Sequence, residues 1–280
     1  MLSASTSPPD HEQPPSRVVS LSPALTATLF DLDLGHVLIG ISADSRIPAS
    51  ISSVNPTHID LQAAGLDAQL EALHPDQIII AEWPRSSGSS PDFGTAPVWQ
   101  VTPTDVRAAI DLLWDVVRLF ERPQAGIRIS ALETTLEWTQ MASYSQAQLP
   151  TCCLLGSVTN GGNLWLSPEG GSYTSDLLAV CGSKNVFVAE KASGGEDSDK
   201  TLGNRNLLID LDQIRTAKPD TILVGIDLEN PSSDDVPAEL REVSDAQIHA
   251  VDIATLTWPG TRLARALQDL SPLLHPVQPV

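Results

Sequence analysis

Short aliphatic runs, each followed by a helical stretch, constrain this chain more than any other feature. Gln77 to Ala81 reads QIIIA and Thr221 to Val224 reads TILV. Both are continuously apolar rather than alternating, which suits strands buried on both faces. Similar runs occur at Arg17 to Leu21, Val37 to Ser42, Pro97 to Val101, Thr151 to Leu155 and Ile248 to Val251. A strand covered on both faces needs helices above and below it, and helical segments separate these runs. The pattern predicts an α/β chain with mostly parallel sheets.

The helices carry their own signals. Ser22-Pro23 opens one, with Ser at the cap, Pro in the first turn, Leu25, Leu29 and Leu32 at helical spacing, and Gly35 as the stop. Further helices are expected over Leu66 to Leu73, Ser172 to Cys181, Leu211 to Ala217 and Thr261 to Leu274. From Thr104 to about Gln148 the spacing predicts one long helix, with Thr102 or Thr104 as its cap and a kink or break at Arg122-Pro123. Ala43 to Asn55 has loop character, and so do the acidic stretches Glu190 to Lys200 and Asp227 to Glu239. At about one domain per 150 residues, a chain of 280 holds two. The expected organisation is a flexible, Pro-rich tail over 1–16, an α/β lobe over 17–103, a stiff connecting helix over 104–148 and a second α/β lobe over 149–280. A helix, a Pro-Asp turn and a buried strand occur once in each half, at Leu70 to Ile79 and at Gln213 to Ile222, which supports two similar lobes.

Charge removes several classes of function. Sixteen Lys and Arg against 35 Asp and Glu leave a net charge of −19. Nucleic acid and anionic membrane surfaces both need clustered cations and are poor partners for this chain. No segment approaches the ~20 apolar residues of a membrane span. Met1 to Ser16 has neither basic start nor apolar stretch, so the chain as written is expected in the cytoplasm. Cys152, Cys153 and Cys181 are read as buried thiols, the first two on opposite faces of a strand. The six histidines are scattered, with no metal-binding spacing. No nucleophile elbow, P-loop or dinucleotide fingerprint occurs, and no carboxylate pair has the spacing of an acid/base couple.

The tryptophans hold the best sign of a ligand. Trp99, Trp114 and Trp138 sit inside predicted elements and read as packing residues. Trp83, Trp165 and Trp258 instead adjoin predicted strands, in loops containing Pro or Gly. In parallel α/β sheets ligands bind beyond the carboxyl ends of strands, where an indole offers a flat apolar face. A single indole of this kind serves equally well as a cap on its own lobe; three in one setting point to a ligand cleft. The turn Glu169-Gly170-Gly171-Ser172 precedes a predicted helix and would sit at the edge of that cleft.

Several segments together resemble a known family. They are Arg17 to Thr26 with Ile39-Gly40-Ile41, Glu71 to Ile79, Ser172 to Phe187, Asp212 to Asp220, and Trp258 to Leu263 with Leu274-His275-Pro276. In this order they are similar to the iron-siderophore and cobalamin substrate-binding proteins of ABC importers, the helical-backbone or class III group. Val180-Cys181-Gly182, Asn185-Val186-Phe187 and the position of Trp83 resemble the cobalamin-binding branch most. The resemblance implies two Rossmann-like lobes joined by a long helix, and a cleft holding a corrinoid or related metal chelate without catalysis or a covalently bound cofactor. Trp83, Trp165, Trp258, Gly170, Gly171 and Ser172 are the ligand-binding candidates. It also implies docking on an ABC permease through one exposed Glu per lobe; the matching positions are Ala68, with Asp67 beside it, and Asp212, which makes Asp67 and Asp212 the docking candidates. A member of such a family works in the periplasm or outside the cell once its signal is removed. Two other readings keep the scaffold: a cytoplasmic carrier or sensor of the same ligand, and an enzyme, for which no motif speaks.

Overall fold

The computed structural model describes residues 7–48, 51, 54–63, 65–81, 93–144, 147–158, 164–187, 206–243 and 245–274. Their contacts divide the chain into two compact units. The first draws on 1–103, 109–130 and 259–261, and the second on 104–108, 131–258 and 262–280.

The first unit is built on one parallel sheet. Its strands are β1 (Val18–Leu21), β2 (Leu38–Ser42), β3 (Thr57–Ile59), β4 (Gln77–Ile80) and β5 (Val98–Gln100). They lie in the order β3-β2-β1-β4-β5 and all pair in parallel. Helices α1 (Pro23–Asp31), α2 (Leu66–Leu73) and α3 (Val106–Leu119) follow strands β1, β3 and β5. The sheet explains the unbroken apolar runs, because successive residues feed cores on opposite faces. Ile79 joins Val18, Leu25, Leu29, Trp99 and Val116 in one core. Ile78 and Ile80 join Val19, Leu66 and Leu70 in the other.

The second unit has two sheets. Strands β6 (Leu149–Leu154), β9 (Ser183–Asn185), β11 (Thr221–Ile226) and β12 (Gln247–Asp252) form a parallel sheet in the order β12-β11-β6-β9. Strands β7 (Gly156–Ser157), β8 (Leu164–Pro168) and β10 (Asn206–Asp210) form an antiparallel one, in the order β10-β8-β7. The mostly parallel expectation holds for the two main sheets and missed this third one. Its helices are α4 (Gly126–Tyr144, from 131 onward), α5 (Tyr173–Val180), α6 (Leu211–Ala217), α7 (Ala238–Arg241), α8 (Ile253–Thr257) and α9 (Leu263–Leu274). Cys152, Leu154, Ile214, Ile222 and Val224 pack together in its core. Cys153 is equally buried but points to the other side of β6 by strand alternation, and all three cysteines are free thiols.

Several local expectations need correction. Helix α1 starts as read, with the Ser22 hydroxyl accepting from Leu25 N–H at 3.5 Å and Pro23 in the first turn. It stops earlier than Gly35: Asp33 adopts a left-handed φ of 59°, and Leu34 N–H donates to Leu29 O at 2.8 Å. Gly35 has another job, since a Cβ there would sit 2.6 Å from the Phe30 ring. The break expected at Arg122-Pro123 is present and complete, leaving two helices: Glu121 enters the left-handed region (φ 49°) and a 3-10 turn follows over Pro123–Ala125. The cap of the first is Asp105, whose Oδ1 accepts from Ala108 N–H at 2.7 Å, rather than either threonine. Trp138 is 66% exposed, not a packing residue, whereas Trp99 is core. The C-terminal helix forms as expected, as α9, but the short helix α8 before it was not foreseen. The tail is placed against the first unit over part of its length: Pro15 is buried, His11 Nε2 lies 2.9 Å from Gln77 Oε1, and Ser16 donates through N–H and hydroxyl to Asp76.

Candidate functional site

The strand order of the first unit fixes where a ligand could approach it. The chain runs outward from β1 through β2 to β3, then returns to β4 on the other side of β1. The reversal falls between β1 and β4, and the carboxyl ends of strands at such a reversal are where open α/β sheets bind. Helix α1 begins one residue beyond β1, and its first turn stands on buried hydroxyls. Thr26 donates to Ser20 Oγ at 2.9 Å, Ser20 to Ser22 O at 3.3 Å and Ser45 to Thr26 Oγ1 at 3.2 Å. Ser42 and Ser45 lie 2.7 Å apart. Since Ser45 spends its one hydrogen on Thr26, Ser42 must donate to Ser45, and the row points one way. It ties the ends of β1 and β2 to α1. Trp83 follows the end of β4 by three positions and lies outside the described residues.

In the second unit the Glu169 to Ser172 turn leads into α5. Gly171 takes φ +81°, which L side chains rarely adopt. The Ser172 hydroxyl caps the helix, accepting from Ser175 N–H at 3.3 Å, and the Ser175 hydroxyl returns to Glu169 O at 2.9 Å. Gly170 and Ser172 are half-buried and Gly171 is exposed, so the turn remains accessible. Next to it stands α8, which begins where β12 ends, with Asp252 Oδ1 accepting from Ala254 N–H at 3.0 Å. The Thr174 hydroxyl donates to Leu256 O at 2.9 Å and joins the two helices. Ser172 and Trp258 each lie two residues from that bond, so the turn and the indole are brought to the same end of the unit. Trp258 is half-buried, with the Arg262 guanidinium 5.8 Å from its ring centroid, within cation–π range.

Two tryptophans thus separate. Trp258 keeps the loop placement expected of it. Trp165 lies within β8 rather than in a loop, is 2% exposed, and packs with Ile209 and Ile222 in the core. It was misread because β8 is short and pairs antiparallel with β10 across a long sequence gap, which no local pattern announces. Arg262 and Thr174 were not singled out from sequence. An Arg four residues after a Trp is a signal only once the non-helical turn that connects them is known.

Asp67 and Asp212 are each the second residue of a helix that leads through a Pro-Asp turn into a strand, but α2 is one residue longer than α6, so counted from the turn it is Ala68 that matches Asp212. Both are exposed; Asp212 forms an ion pair with Arg215 in its own helix. The thiols are chemically quiet. Burial pushes Cys153 and Cys181 up to about 12 and Cys152 higher still, with Cys153 adding to the last. Tyr173 is likewise raised, by burial first and then by Cys181 and Asp176. Among the described residues no group of three or more His, Cys, Asp or Glu could hold a metal ion. None of their helices is long and apolar enough to cross a membrane.

No family model matches the chain, and no curated protein does. Solved structures do. A periplasmic binding protein from Veillonella parvula superposes with a TM-score of 0.72 at 16% identity, covering 96% of this chain and 94% of that one. The periplasmic vitamin B12 binding protein BtuF of Vibrio cholerae gives 0.69 at 17%, covering 93% and 97%. The periplasmic heme-binding protein RhuT from Roseiflexus sp. RS-1 gives 0.64 at 19%, covering 93% and 98%. The chain has the fold of these periplasmic binding proteins, over nearly its whole length and nearly theirs.

Proposed function

We propose that this chain is a non-catalytic binding protein of the ABC-importer type whose ligand is a corrinoid or a related planar metal chelate. The observation that carries the reading is Trp258, half-buried, backed by Arg262 and held beside the Gly170 to Ser172 turn by the Thr174 bond. An indole offers a planar macrocycle apolar area, worth about 25 cal/mol for each Å² removed from water. The adjacent guanidinium can meet a carboxylate or amide at the macrocycle's edge. Trp83, three positions after β4 in the sequence, is proposed for the same task, and Trp165 is assigned to the core. The fold, shared with a B12 and a heme binder, supports the ligand class. Asp67 and Asp212 are the proposed contacts for arginines on a permease, and this role places the working protein in the periplasm. A cytoplasmic carrier or sensor of the same ligand is the second reading, favoured by three cysteines that are all unpaired.

The test is titration of the purified chain with cobalamin, cobinamide, heme and a ferric siderophore, followed by tryptophan fluorescence and calorimetry. At least one should bind tighter than millimolar, and Trp258→Ala should weaken it by roughly thirtyfold, the ~2 kcal/mol of an anchoring aromatic. Failure of all four ligands, or an unaffected Trp258→Ala, removes the reading. Salt-sensitive association with a permease, lost in the Asp67→Ala/Asp212→Ala double variant, separates import from the carrier role.

A further inference from the structure

We infer that the first unit carries a second small-molecule site, at the amino ends of β1 and β2, that takes an amphipathic monocarboxylate. A cavity of about 430 Å³ opens there between the segment before β1, the turn after α1 and the end of α3. That volume falls in the range of small-ligand pockets. Its apolar lining is Leu34, Val37 and Phe120, all buried, together with Pro14 and Pro15. The polar lining includes Arg122, His36 and Glu121.

Arg122 decides the ligand. The chain has more than two carboxylates for each cation, so a guanidinium here finds a partner easily. Of the ten arginines among the described residues, nine engage one. Arg122 is the tenth. Its backbone N–H closes the end of α3 onto Val117 O at 2.9 Å, while its half-buried side chain makes no hydrogen bond or ion pair among the described residues, not even with the neighbouring Glu121. A planar fork of donors left unpaired beside an apolar floor matches a carboxylate attached to an apolar body. Glu121 and the net charge of −19 penalise a dianion such as phosphate more than a single carboxylate. The break after α3 creates the site, because the left-handed Glu121 turns the chain so that Phe120 and Arg122 both line it.

The test uses 1-naphthoate as probe on the full chain, followed by two-dimensional amide NMR. Saturable shifts are expected at Leu34 to Val37 and Phe120 to Gln124, with a Kd of about 1 mM or tighter. Arg122→Gln should weaken binding about tenfold or more, and Arg122→Lys, which keeps the charge without the fork, by about threefold. Unchanged melting temperatures of both variants exclude a folding effect; if Arg122→Gln unfolds, the lysine variant alone decides. No saturation by about 10 mM, shifts at other residues, equal affinity in the variants, or neutral 1-naphthamide binding as well as the acid would each overturn the assignment. Macrocycle binding at Trp258 is read separately and is unaffected by any of these outcomes.

Discussion

Replacing Thr26 by Val tests the one-way row of hydroxyls beneath α1. The two side chains have nearly the same shape, so packing is preserved and one oxygen is lost. Thr26 is fully buried and both accepts from Ser45 and donates to Ser20. Without it the Ser45 hydrogen has no acceptor. Ser45 can turn toward Ser42, but then the Ser42 hydrogen is displaced instead, so the row always keeps one unsatisfied buried donor. A buried group left in that state costs about 1–3 kcal/mol. At about 2–4 °C per kcal/mol for a chain of this size, a 2 kcal/mol loss lowers the melting temperature by about 4–8 °C. Urea titration followed by circular dichroism measures the same loss independently. The sharper measurement adds Ser45→Ala. If the orphaned donor is the cause, the double variant loses less than the sum of the single ones, with a coupling of about 0.5 kcal/mol or more. A Thr26→Val variant within about 0.3 kcal/mol of wild type, or strict additivity, would refute the row as drawn.

Two further expectations follow from the ionisable groups. With Cys153 and Cys181 at about 12 and Cys152 higher, a thiol reagent at pH 8 should label none of the three in the folded chain and all three in denaturant; rapid native labelling of any one contradicts its burial. His249 is half-buried, its Nε2 lacks a hydrogen-bond partner among the described residues, and desolvation lowers its pKa below the ordinary 6.5. The unfolded chain therefore binds this proton more readily, so His249's contribution is intact above about pH 6.5 and is lost as pH falls below it. His249→Gln should flatten the stability profile between about pH 7 and 5, and an unaltered slope would exclude this histidine as a cause.

How far the sequence speaks depends on whether a feature is local. The parallel strands were legible because both-face burial writes itself as a solid apolar run, as in β4 with Ile78, Ile79 and Ile80. Helices α2 and α6 were legible to the residue, and α5 nearly so, because a Pro-Asp turn or a glycine ends each pattern. The antiparallel sheet was invisible: β8 and β10 pair Trp165 with Ile209 across 44 positions, and neither strand is long or evenly alternating. Trp165 was misplaced for that reason alone. Helix α4 shows the opposite failure. It buries Ile129, Leu132 and Leu136, yet also exposes Ile127, Trp138 and Met141, so its apolar residues do not mark one face. Trp258 was found because Pro259-Gly260 marks a turn, but its cationic neighbour Arg262 becomes visible only in three dimensions.

The internal echo shows how one local rule builds both units. A residue before proline is pushed out of the right-handed helical region, so α2 and α6 must end there. Both do so by the same unusual route: His74 takes φ 47° and ψ 57°, and Lys218 takes φ 47° and ψ 59°. Neither is glycine, so each accepts strain of about 1–2 kcal/mol that its surroundings must offset. The compensation is also the same. The N–H of Asp76 donates to Arg17 O, and that of Asp220 to Pro150 O, each at 2.9 Å. In each unit the turn is pinned to the backbone at the start of the neighbouring strand, which fixes the register of the strand that follows. A helix held so firmly at its carboxyl end presents its first turn in a defined place. Counted back from that pinned end, Asp212 lines up with Ala68 and Asp67 stands one position earlier, so the two carboxylates lie in the first turns of corresponding helices one residue out of register.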